Sequence, residues 1–238
     1  MTDYAALATV IIFAVLVLCT AGLSRVTYQK EKSSHEIIAS MTLDAVFIAI
    51  ILIMTFVPYL GYIAVTPFVS LTLLHIPVLL GAALGGWRKG LLLGFIFGLS
   101  SYMQALSSSG FNALFAYPWV AIPPRAVFGL LAGIAFSLIG KVSNRGAKSI
   151  YLAVACAILT AIHTGLVFLD LYMFYPDTIA GLFGSGSPIA VGTTLTFTLV
   201  ILLGMLGEMA VAAAIIPPLY LATTKVLPRF HRPRKLRY

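Results

Sequence analysis

The residues able to do chemistry are those that lipid should not tolerate: His75, Gln104, Arg125, His163, Thr164, Asp170 and Glu208, each set in an apolar run. An ionisable group inside a membrane span is costly and faces a partner or a cavity. The guanidinium of Arg125 suits bidentate carboxylate recognition, and Pro123-Pro124 just before it fix its direction. The residues alone leave alternatives open. Arg125 can snorkel to head groups, His75 and His163 can bond neighbouring helices, and Glu208 can pair with Arg125 or a histidine. No G-x-x-x-x-G-K-[ST] loop, H-E-x-x-H, nucleophile elbow or aspartate pair occurs, so the reading is a binding protein rather than an enzyme, with no cofactor and no metal. Cys19 and Cys156, both in apolar runs, give neither a disulfide framework nor metal-ligand spacing.

The elements that carry these residues follow from composition. Apolar residues make up 61% of the chain and charged residues 9%. A helix crossing a bilayer core needs about 20 mostly apolar residues. Candidate spans are 5–23, 37–57, 71–86, 90–107, 124–140, 149–174 and one within 190–224. Of 15 Lys and Arg residues, all but Arg125 fall in four patches after alternate apolar runs: 25–32, 88–89, 141–148 and 225–237. That is the positive-inside pattern. It predicts a multi-pass protein of the cell membrane, with the N-terminus outside, the C-terminus cytoplasmic and Arg125 at the outer side. Membrane lipid, not nucleic acid, accounts for the net charge of +8. The first run lacks a positive leading region and reads as an inserted helix rather than a cleaved signal.

The expected fold is therefore all-α, a polytopic helical bundle. Residues 1–33 form an extra N-terminal helix and basic loop, 34–226 the membrane core, and 227–238 a basic cytoplasmic tail. Long outer connections at 57–70, 107–123 and 175–189, rich in Gly, Pro and aromatics, suit a lid. The stretch 190–224 is too long for one straight crossing; we expect 190–204 to lie at or dip into the outer side before 205–224 crosses, kinked by Pro217-Pro218. Asp44 is expected at the cytoplasmic interface. Counting helical rise from the outer ends, the polar groups gather in the outer half, with His163 and Thr164 about 15 Å below Phe174. This asymmetry describes a binding site open to the outside, without a polar pathway through the bundle. A self-sufficient proton-coupled carrier of a small carboxylate, using Glu208 and the histidines as a relay, is the alternative.

Four segments carry a resemblance: Thr72-Leu-Leu-His75-Ile-Pro77-Val-Leu-Leu-Gly81, Gly94-Phe-Ile-Phe-Gly98-Leu-Ser-Ser101, Pro124-Arg125-Ala-Val-Phe-Gly129-Leu-Leu-Ala-Gly133, and Gly207-Glu208 through Pro217. Together they resemble the substrate-binding S component of an energy-coupling factor (ECF) vitamin transporter, in the branch that includes pantothenate-specific members. The likeness implies a six-helix core, with the N-terminal helix as an addition, and a lid formed by the first outer loop. Its implied partners are a transmembrane coupling subunit, docked on an A-x-x-x-A motif matched by Ala45 and Ala49, and two ATPases that supply ATP and Mg chemistry. They drive the S component to topple in the membrane and release its vitamin inside. For pantothenate, the implied substrate, Arg125 takes the carboxylate. His75, Gln104, Asn112 and Thr164 meet hydroxyls and amide, with Thr72, His163 and Glu208 also at the site. Tyr59, Tyr62, Tyr117 and Trp119 cover the gem-dimethyl part. Where related members carry Thr-Asn-Thr, this chain reads Thr160-Ala-Ile-His163-Thr164.

Overall fold

The computed structural model describes residues 34–64, 70–108, 110–183 and 188–226. The expected N-terminal helix 5–23 with Cys19, the loop to residue 33, the lid residues Thr66 and Pro67, and the tail 227–238 lie outside these residues. Helices dominate the described chain: α1 (Ser34–Phe56), α2 (His75–Ala105), α3 (Pro118–Ile139), α4 (Arg145–Phe174), the short α5 (Pro176–Phe183) and α6 (Pro188–Val226). Lys89, Lys141, Arg145, Lys148 and Lys225 sit at helix ends or turns on one side, here the basic end. The inter-helix segments at the other end carry regular structure as well. Strands β1 (Tyr62–Ala64) and β2 (Ser70–Thr72) pair antiparallel, with Tyr62 opposite Thr72, and Gly110–Phe115 form a 3-10 helix.

α2 is two helices, not one. Gly86 has φ of 73°, the left-handed region that glycine enters without a Cβ penalty. A Cβ on Gly81 would fall 2.1 Å from Leu93 Cδ1, and one on Gly90 only 3.1 Å from Ala82 Cβ. In a straight helix residues 81 and 93 would be about 18 Å apart, so the chain doubles back at Gly86. The first arm, His75–Gly85, is thus only about 16 Å long and begins deep in the bundle. The hairpin must descend to meet it, which is why a run as short as 71–86 still fits.

The second arm packs against α3 through glycines. A Cβ on Gly90 would lie 2.1 Å from Gly129 O, on Gly94 2.4 Å from Arg125 O, and on Gly98 2.7 Å from Ile122 Cα. Small residues at this spacing let helix backbones touch, and here the contact fixes the backbone at Arg125. Below it, Phe47, Ile51, Val78, Leu79, Leu93, Phe136, Leu152 and Ile216 form part of one apolar core.

Two expectations need correcting. α6 is helical throughout its 39 residues, about 58 Å, rather than a surface segment followed by a separate crossing. Its N-terminal half is an apolar run with no proline between Pro188 and Pro217, so nothing interrupts the backbone ladder. α3 begins at Pro118, not 124, and carries Pro123 and Pro124 inside the helix. Asp44 stands at the basic end as expected, and its Oδ1 lies 2.7 Å from Lys89 Nζ, tying α1 to α2.

Candidate functional site

At the hairpin end a cavity of about 120 Å³ opens between the hairpin, α2, the 3-10 helix, α3, α4 and α6. Its cation is Arg125, 5% exposed. Pro124 has no N–H to donate back to the Val120 carbonyl four residues earlier. Arg125 Nη1 takes that carbonyl at 3.1 Å. The guanidinium carbon lies 4.5 Å from the Phe115 ring centre and 5.9 Å from that of Phe97. Buried Nε has no hydrogen-bond partner. Among the described residues no Asp or Glu stands at ion-pair distance from Arg125. Asp170, largely buried with Oδ2 unpartnered, is near enough to act on Arg125 electrostatically.

The opposite wall is acidic. Glu208 Oε1 accepts the Thr72 backbone N–H, joining α6 to β2. Thr72 O in turn accepts His75 Nδ1–H at 2.6 Å; a carbonyl can only accept, which sets the His75 tautomer. His75 and His163 stack at 6.4 Å, with Phe128 4.8 Å and Phe97 5.6 Å from the His163 ring. By helix rise from Gly86 and Ile139, Phe97 and Phe128 stand about 16 Å above the basic end. This ring cluster is the floor. Both His163 nitrogens are buried and unpartnered.

Residues 39–220 match the family described as ECF transporter, substrate-specific component. The chain belongs to that family. Among its relatives, the "Pantothenate transporter PanT" of Leuconostoc mesenteroides is 32% identical over 140 residues, covering 56% of this chain and 69% of that protein. The "Pantothenic acid transporter PanT" of Lactococcus lactis is 31% identical over 152 residues, covering 57% of this chain and 73% of that one.

In this S component the residues singled out from the sequence divide by place. Tyr62 and Thr72 from the hairpin, Gln104 of α2, Asn112 of the 3-10 helix, Arg125 of α3, His163 and Thr164 of α4, and Glu208 of α6 all line the cavity. His75 does not; the first residue of α2, it is fully buried behind the wall. Tyr59 is 79% exposed in the turn after α1. Tyr117 and Trp119 lie tilted, ring centres 5.5 Å apart, beside Tyr175 at the hairpin end, outside the cavity wall. Burial and the neighbouring Tyr117 push the Tyr175 phenol up to about 12. Ala45 and Ala49 are exposed on the face of α1 away from the buried Phe47, Ile51 and Thr55.

Sequence reading missed much of the remaining lining: Phe97 and the polar Ser101 on α2, Val167, Phe168 and Leu171 on α4, and Ile201, Gly204 and Met205 on α6. Helical periodicity held the signal. These positions stand three, four, seven or eight residues from Gln104, His163, Thr164 or Glu208, on the same faces. Tyr62 was found but not its chemistry. Burial raises its phenol above 10.0, against the pull of Ser101 and Arg125, so it stays a neutral donor at physiological pH.

Proposed function

We propose that this chain is the high-affinity vitamin-binding membrane subunit of an ATP-driven ECF uptake transporter, and that its vitamin is pantothenate. The observation that carries the reading is Arg125, buried on the cavity wall and held by a backbone carbonyl, with no acidic side chain at ion-pair distance. A ligand carboxylate supplies the missing counter-charge. Removing one partner of a buried, hydrogen-bonded charge pair costs about 2–5 kcal/mol, so loss of this contact should weaken a carboxylate ligand on that scale. The names of the two relatives point to the same ligand. Gln104, Asn112, Thr164 and Tyr62 serve the amide and other polar groups, and Phe97, Phe115 and Val167 the apolar middle.

No step of ATP chemistry falls to this chain in the proposal. A coupling subunit docks on the exposed Ala45/Ala49 face of α1, and two ATPases bound to it drive toppling and release. The basic end faces the cytoplasm by the charge rule, so the cavity takes up vitamin from outside, with the N-terminus outside and the C-terminus inside. Packing supports such rotation, since below the cavity floor the buried core is apolar.

Calorimetric titration of the solubilised chain with pantothenate and a panel of other vitamins tests the reading. Tight binding of pantothenate alone is expected; binding of a different vitamin, or none, defeats it. Ala45→Trp and Ala49→Trp should abolish co-purification with the coupling subunit and leave ligand affinity intact. Normal complex formation by both variants removes the proposed seam.

A further inference from the structure

Arg125 and Glu208 stand on different walls. α3 packs on α2 and α4, whereas α6 packs on α4, α2 and β2, and the two residues form no ion pair. The cavity therefore has a cationic side and an anionic side. The anionic side is only half used: Glu208 Oε1 accepts the Thr72 N–H, while the same carboxyl group, 7% exposed, also lines the cavity. Oε1 is taken by Thr72, and among the described residues no bond to Oε2 is seen, which leaves Oε2 as the oxygen of this lining group that a ligand can meet. An ionised carboxylate only accepts hydrogen bonds, and so it selects a ligand group that donates.

We propose that Glu208 is the specificity determinant for the hydroxyl end of the ligand, reading it through Oε2 while Arg125 holds the carboxylate end. The inference rests on the pantothenate reading, since pantothenate carries its carboxylate and its two hydroxyls at opposite ends. The orientation follows from charge. A carboxylate beside Glu208 would be repelled, and a hydroxyl beside Arg125 would leave the guanidinium without a counter-ion. A ligand lying the other way is excluded twice. The same carboxyl group holds β2, so the group that reads the ligand also anchors the second strand of the hairpin at the cavity.

A structural role for Glu208 would weaken all ligands alike, so the test is a ratio of affinities. Three probes suffice: pantothenate, pantothenol (carboxylate replaced by a primary alcohol), and N-(3,3-dimethylbutanoyl)-β-alanine, which lacks both hydroxyls. The Glu208→Gln side chain keeps an oxygen for the Thr72 N–H but turns an amide toward the ligand. Wild type should prefer pantothenate over the dihydroxy-lacking analogue by on the order of 10- to 100-fold, the range of a charge-assisted hydrogen bond. In Glu208→Gln that preference should fall about tenfold or more, with the preference over pantothenol unchanged. A wild type that does not discriminate against the analogue, or a variant that keeps the wild-type ratio, overturns the inference. Failure of the wild type to bind pantothenate at all would instead defeat the reading beneath it.

Discussion

The two ends of this bundle are built on opposite rules. Toward the basic end, the arms of α2 and the facing stretch of α3 meet with glycine at the contact, and phenylalanine and branched side chains fill the rest. Toward the hairpin end, α2 and α3 stay in contact through Gly94 and Gly98, but beside them α4, α6 and the hairpin enclose a cavity whose walls hold a buried guanidinium, a carboxylate and unpartnered imidazole nitrogens. The first arrangement maximises contact; the second leaves polar groups waiting for a partner. Unpaired buried polar groups destabilise a fold, so the hairpin end is held open at the expense of stability and the basic end supplies the rigidity. The difference separates mutations that should strike binding from those that should strike folding.

The sharpest way to break that division is to remove the charge. Arg125→Ala should weaken pantothenate by about 2–5 kcal/mol and abolish the preference for pantothenate over pantothenol, with thermal stability kept or raised, because an unpaired buried charge is lost. Titration and a thermal melt of the same preparation check both halves. Equal affinity in variant and wild type would make Arg125 an anchor only.

A pair of glycines sharpens the comparison at lower magnitude. Gly94 abuts Arg125 O and Gly133 abuts the Trp87 backbone at the basic end. Either change to alanine forces the helices apart and should cost about 1–3 kcal/mol of stability. Only Gly94→Ala displaces the residue that binds, so it alone should also lower pantothenate affinity, by about tenfold. Equal loss of affinity in both variants would show the two ends to be one mechanical unit.

Much of this was legible in the chain itself. The described spans came from apolar length, the gathering of the basic residues at one end from their alternate patches, and that of Gln104, Arg125, His163, Thr164 and Glu208 from counting helical rise. What the sequence could not give was the half-length of the first arm of α2. Gly86 looks like an ordinary short-loop glycine, and only its positive φ makes the chain reverse so abruptly. That reversal sinks His75 behind the cavity and draws the hairpin inward. The strands were hidden for a related reason: three-residue strands flanking a proline leave little period to read. Tyr59, Tyr117 and Trp119 were assigned to the ligand by type, yet aromatic rings also settle at membrane interfaces, and exposure separates the two uses.

Asp170 provides the smallest and most selective test of the same contrast. It stands largely buried near the hairpin end of α4, with Oδ2 unpartnered, and acts on Arg125 without forming an ion pair. A carboxylate so placed partly offsets the cation in the empty cavity and competes with an arriving anion for its field. Asp170→Asn keeps the volume and removes that competition. Pantothenate affinity should rise by about 2- to 5-fold, the scale of one unpaired charge acting at a distance in a partly solvated site, while pantothenol affinity stays where it was. If both ligands gain equally, the change has loosened or tightened the cavity rather than its field. A fall in pantothenate affinity alone would mean that Asp170 holds Arg125 in its binding position, and the guanidinium would then depend on α4 as much as on the Val120 carbonyl.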